Sequence, residues 1–270
     1  MTKQHIIKKI ISFTEQSESN FISREKALSP DLEGVKIFDP PLVAFASAAD
    51  EMFLKLKEPK AIGSHFLLPS EWVPKAKTVI SIFFPFTDSI RDSNKKNMSW
   101  PSSEWMHGRI EGQAFIKTIS LYLKSELEII GYDAISPAFD ERFFYKAIGV
   151  EDKKTFFTTN WSERHAAFVC GLGTFGLSKG LITKKGIAGR FGSIITSLKV
   201  KPDTRKYSSI YEYCTMCGKC VKNCPAHAIT EEGKNHSICS KFLDTVMEKH
   251  KPWYGCGKCQ VNVLCEKTIP

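Results

Sequence analysis

Residues 214–225 read Cys-Thr-Met-Cys-Gly-Lys-Cys-Val-Lys-Asn-Cys-Pro. This CxxCxxCxxxCP run has the ligand spacing of the bacterial [4Fe–4S] motif, and in two-cluster proteins its fourth cysteine crosses to the other cluster. The count therefore closes only if more thiolates follow. They do: Cys239, Cys256, Cys259 and Cys265 lie downstream. The simplest wiring gives one cluster Cys214, Cys217, Cys220 and Cys265, and the other Cys224, Cys239, Cys256 and Cys259. Pro225 ends the local turn and removes a backbone donor where the chain leaves the site. The second group is the less regular, with five residues between Cys259 and Cys265 and no proline after it.

Eight of the nine cysteines fall in the last 57 residues. A disulfide framework belongs to small secreted domains, and the start of this chain does not read as a signal peptide. Zinc sites come as two separated pairs rather than as a triple CxxCxxC ending in CP. Thiols kept available for iron point to a reducing compartment, so a cytoplasmic protein of an organism with anaerobic habits is expected. Residues Met1–Gln16 space Ile6, Ile7, Ile10 and Ile11 as one face of a surface helix. The longest apolar stretches, Leu42–Ala49 and Val79–Phe86, are far shorter than the ~20 residues that span a bilayer, so no membrane association is expected.

Composition shifts near Pro202, which divides the chain into an expected core, residues 1–202 with an N-terminal helical segment, and a double-cluster module, residues 203–270. A polar link, Asp203–Ser209, joins them. The formal charge of +9 falls to about +5 once two oxidised clusters contribute about −2 each. The basic residues are scattered, as on an ordinary solvated surface.

The core reads as mixed α and β. Lys77–Phe86 is β-branched and aromatic, a buried strand. Ile110, Phe115, Ile119, Tyr122, Leu123, Leu127 and Ile130 recur at helical spacing, and Gly131 closes that helix. Phe191–Val200 reads as a second strand. The segment Gly171-Leu-Gly-Thr-Phe-Gly176 matches GxGxxG, but a dinucleotide fingerprint needs a preceding strand and an acidic residue ~20 positions on. Here Glu163–Cys170 looks helical and the later region holds Arg190–Thr196. The glycines still mark a tight turn or a ligand-facing backbone.

The order Glu163-Arg-His, then Gly171–Gly176, then Ser178–Thr183, then Gly192-Ser193, then the cysteine run resembles the core of the epoxyqueuosine reductases from about Pro69 to Cys265. Those enzymes share a fold with the corrinoid reductive dehalogenases. The resemblance implies an α+β fold, a nitroreductase-like α/β cobalamin-binding core with a ferredoxin-like 2×[4Fe–4S] module. It implies electrons passing from a ferredoxin or flavodoxin type donor through the clusters to cobalamin, and a corrinoid lying along Gly171, Gly173, Gly176, Thr183 and Ser193. Phe157 stands where the family places a catalytic aspartate, in a VDxxPxxER-like run. The family's helical tRNA-holding tail is not seen before Pro270. A small-molecule substrate is therefore expected, and tRNA is not.

The candidate proton donors are Tyr145, paired with Arg142 or Lys146 by analogy with the dehalogenases, and His107. Glu163 and Arg164 read as a helix ion pair, and Cys170 as a small buried hydrophobe. The favoured reading is an oxidoreductase, a cobalamin-dependent reductase. The alternative is a two-cluster electron-transfer protein, or a corrinoid reductase or carrier serving a partner enzyme. About two hundred residues beyond the ~60 that two clusters require favour the first.

Overall fold

The computed structural model describes residues 1–149 and 155–270. In chain order the elements are α1 (Lys3–Gln16), β1 (Leu42–Ser47), α2 (Glu51–Lys55), α3 (Pro69–Trp72), β2 (Thr78–Pro85), α4 (Asp88–Ser93), α5 (Ser103–Ile129), β3 (Ala134–Ile135), β4 (Tyr145–Gly149) and β5 (Thr155–Thr159). There follow α6 (Glu163–Cys170), β6 (Gly173–Phe175), β7 (Leu181–Thr183), β8 (Gly189–Thr196), α7 (Lys219–Lys222), β9 (Ile229–Thr230), β10 (Gly233–Lys234) and α8 (His236–His250).

The centre is a four-stranded sheet of order β1-β2-β8-β3, antiparallel throughout. β2 is buried along its whole length because both faces are covered. Alternation along the strand sends Ile80, Ile82 and Phe84 to one layer, with α1 and α5, and Val79 and Phe83 to the other, with α6. Each such side chain contributes about 1.5–3 kcal/mol by leaving water. The antiparallel pairing makes the fold α+β, as expected.

The expected strand at 77–86 and the helix at 163–170 form where their residues predicted. The long helix begins at Ser103 rather than near 110, because the Ser102 side chain accepts the Trp105 N–H at 3.2 Å and caps it. It ends as expected, with Gly131 left-handed at φ +85°. β8 is displaced toward Gly189 and stops at Thr196, where the Ser197 N–H turns to the Asp133 carbonyl.

The link after residue 202 is stitched to the core. Asp203 exchanges two hydrogen bonds with Phe45 on β1, 2.8 and 3.0 Å, and Arg205 holds Asp50 at 2.7 Å and the Val169 carbonyl at 2.8 Å. The cysteine-rich segment docks on α4 and α5. The buried Lys258 ammonium donates to the Asn94 carbonyl and side-chain oxygen, each 2.6 Å, and the Asn94 amide donates to the Cys256 carbonyl at 2.9 Å. The Trp253 indole donates to Glu111 at 3.3 Å. Among the described residues no helix is long and apolar enough to cross a membrane.

Candidate iron–sulfur sites and the adjoining cleft

The cysteine run opens between α7 and the turn that precedes it, and the C-terminal loop returns beside it. Cys214, Cys217, Cys220 and Cys265 together line one small cavity, bounded on the core side by Gly176, Ile182 and Ile187. The Ile187 N–H donates to the Cys265 carbonyl at 2.9 Å, which seats the C-terminal ligand candidate against the core. Burial first, and then the neighbouring thiolates Cys214, Cys220 and Cys217, push the Cys265 thiol up to about 12. Cys265, the ligand candidate with the least regular spacing, is thus brought to the other three.

The second group gathers Cys224 and Cys239 around Cys259, and Cys256 lies within electrostatic reach of Cys239 and Cys259. Cys224 is buried and its sulfur accepts the Ala228 N–H at 3.2 Å. No three His, Cys, Asp or Glu side chains among the described residues converge as ligands of one metal ion.

Several cations lie near the second group. Lys234 is within electrostatic reach of Cys239 and Cys259. Arg164, at the N-terminal turn of α6, is exposed to solvent and still crowded by neighbouring protein atoms. Burial, and then the neighbouring Arg109, hold its guanidinium below the usual range, against the opposing pull of Cys259 and Tyr145. Tyr145 is 62% exposed, its ring stacked on Phe157 with centroids 5.4 Å apart and planes 5° apart. Partial burial raises the phenol, so it keeps its proton at neutral pH. The cations beside it are Arg109 and Arg164. That corrects the expected partners: Arg142 is committed to Asp140 at 2.7 Å and to the Trp72 ring, and the Lys146 ammonium lies over Phe144.

His107, expected as a proton donor, lies in the core. It is fully buried, its Nε2 accepts the Leu28 N–H at 3.2 Å, and its Nδ1 meets Glu111 at 2.8 Å. The five residues expected along a corrinoid are all accounted for by local structure. Gly171 is the left-handed cap of α6, φ +92°, and a side chain at Gly173 would meet the Ile182 carbonyl oxygen at 1.9 Å. Gly176 faces the first cysteine cavity. The Thr183 hydroxyl donates to the Gly186 carbonyl, 2.8 Å, and the Ser193 hydroxyl accepts from the Trp161 indole, 2.9 Å, both side chains being buried. Cys170 is buried, its thiol raised by that burial.

Reading single positions missed Glu163. Both its carboxylate oxygens are buried without a hydrogen-bond partner, and burial pushes the acid up to about 7, against Ser193 and Trp161, which favour the charged form. It is not an ion pair with Arg164, whose guanidinium turns to the Lys179 carbonyl.

A family model described as 4Fe-4S binding domain matches residues 207–230, the stretch holding the first four clustered cysteines. Epoxyqueuosine reductase of Listeria monocytogenes is 36% identical over 102 residues, 34% of this chain and 26% of that enzyme. Tetrachloroethene reductive dehalogenase of Desulfitobacterium hafniense is 39% identical over 67 residues, 24% of this chain and 12% of that one. A solved reductive dehalogenase, described as suggesting a mechanism for B12-dependent dehalogenation, superposes at TM-score 0.51 and 14% identity over 76% of this chain and 28% of its own.

The chain is similar, over part of its length, to an epoxyqueuosine reductase and to reductive dehalogenases. It shares the dehalogenase fold, and the sequence matches span about a quarter or less of those enzymes' lengths.

Proposed function

We propose that this chain is an iron–sulfur reductase holding two [4Fe–4S] clusters, one on Cys214, Cys217, Cys220 and Cys265 and one on Cys224, Cys239, Cys256 and Cys259, with a corrinoid bound beside the second group. The observation that carries the reading is adjacency: Arg164 lies within electrostatic reach of both Cys259 of the second group and Tyr145. A cluster held on the second group would stand close to a proton donor. When bound, the corrinoid supplies a strongly reducing or nucleophilic cobalt.

The chain's own residues supply the rest. Tyr145 holds a proton at its phenolic oxygen, Arg109 and Arg164 lie close enough to stabilise the phenolate as that proton leaves, and Phe157 fixes the ring by stacking. Arg164 and Tyr145, both exposed beside the second group, would hold the corrinoid. The first cavity opens outward beside exposed Met216 and Leu264, where a donor protein of ferredoxin or flavodoxin type would dock.

Anaerobic titration of the iron-reconstituted protein with cob(II)alamin, followed by ultraviolet–visible and electron paramagnetic resonance spectra, tests this. A stoichiometric complex with an altered cobalt signal is expected. No complex would leave the second reading, a two-cluster electron carrier, which the outward-facing first cavity also favours.

A further inference from the structure

Two arginines near the second cysteine group carry charge that no carboxylate offsets: Arg190, and Arg109, which also adjoins Tyr145. They are neighbours, because Gln113, to which Arg190 donates, lies one turn along α5 from Arg109. Arg109, on α5, donates to the Tyr254 hydroxyl at 2.8 Å and lies over that ring, its guanidinium carbon 4.8 Å from the centroid. Arg190, at the start of β8, donates to the Gln113 side chain, while its Nε is buried with no partner. Neither takes part in an ion pair among the described residues. Each guanidinium is half-buried, and burial followed by repulsion from Arg109 lowers Arg190 to about 9. Two like charges, partly desolvated and unpaired, oppose folding unless an anion joins them.

We propose that Arg109 and Arg190 form an anion seat for the substrate, which is a small molecule carrying a carboxylate or phosphate, with its reacting end toward Tyr145. This rests on the reductase reading above and names its substrate class. The fork of a guanidinium matches a two-oxygen anion, and here two forks lie about a helical turn apart along α5. Their half-burial suits a small ligand, since a polymer's phosphate backbone is met by projecting surface cations. The stacked Tyr145 and Phe157 rings provide a flat apolar neighbour for the ligand's body.

One other anion has the same chemistry, the phosphate in the nucleotide tail of a cobalamin, and the test separates the two. The anaerobic, iron-loaded protein is titrated with benzoate and phenyl phosphate against the neutral benzamide. Arg109→Gln, Arg190→Gln and Arg190→Lys are measured alongside, each checked for iron content and circular dichroism. The expected result is binding of the anions about tenfold or more tighter than benzamide, lost in both Gln variants and partly kept in Arg190→Lys. Equal affinity for benzoate and benzamide, or Gln variants that bind benzoate as the parent does, would overturn the proposal.

In parallel, cob(II)alamin and cobinamide, which lacks the nucleotide tail, are titrated into the same proteins. If the Gln variants lose cobalamin but not cobinamide, the pair holds the cofactor's phosphate and the substrate seat falls. If neither corrinoid binds while benzoate selectivity persists, the anion seat stands and the corrinoid reading alone fails.

Discussion

Glu163 shows how one residue's surroundings set its chemistry. Its carboxyl binds a proton more tightly folded than unfolded, its value moving from 4.5 to about 7 through burial. The sign follows from linkage: stability is full below about pH 4.5, declines as pH rises toward 7, and levels off above. Glu163→Gln is expected to flatten that decline and to raise stability by about 1–3 kcal/mol at pH 8, read by denaturant unfolding between pH 5.5 and 8. A variant with the parent's pH profile would show that the carboxyl is solvated. Beside the second cysteine group, Tyr145→Phe removes the phenolic proton and keeps the stack on Phe157. Turnover of any substrate found is expected to fall about a hundredfold or more with its Kd little changed, and full turnover would remove Tyr145 as donor. His107 differs from Tyr145 in burial alone, and that difference was not visible in sequence: both lie in polar–aromatic stretches, and only packing put one in the core.

At the level of elements, short loops carry the ligand candidates and long elements fix the loops. The return of Cys265 to the first cavity depends on the Ile187–Cys265 backbone bond and the small Ile182, Ile187 and Val263 cluster. Cys265→Ser is therefore expected to strip one cluster and leave the other, so that anaerobic iron and sulfide assays fall from about eight atoms of each per chain to about four. Retention of eight would exclude Cys265 as a ligand. The clip between α4 and the second cysteine loop is the Lys258 ammonium on Asn94. Lys258→Met leaves the buried Asn94 carbonyl without its donor, and a loss of about 1–3 kcal/mol is expected in thermal melting of the iron-loaded protein. Helix α5 illustrates what patterning misses: the apolar repeat begins near Ile110, but capping by Ser102 starts the helix a turn and more earlier, bringing Trp105, His107 and Arg109 into it.

Across the whole molecule, stability is unevenly shared. The sheet is covered on both faces by large apolar layers, whereas the cysteine-rich part has one cluster of three buried residues, Cys224, Ala228 and Ile229, and a second in which Val263 packs on Ile182 and Ile187 of the core. Iron would then be the principal cross-link of residues 203–270, the module proposed from the sequence. Chelation is expected to expose that segment to protease while residues 1–202 persist as a resistant fragment. Simultaneous loss of both parts would show one cooperative unit.

What the chain alone determined is what depends on short spacing: the two cysteine groups, β2 with its two-sided burial, α6, and the left-handed glycine after α5. Ligand intervals and 2.0 or 3.6 periodicity are local, so they are written along the sequence. Only the tertiary structure decided the cationic site beside the second cysteine group. Arg109, Tyr145, Arg164, Arg190, Lys234 and Tyr254 come from separate elements. Their meeting follows from how the sheet, α5 and the cysteine loops pack, because electrostatic and hydrogen-bond partners are chosen by distance in space, which no interval between residues encodes.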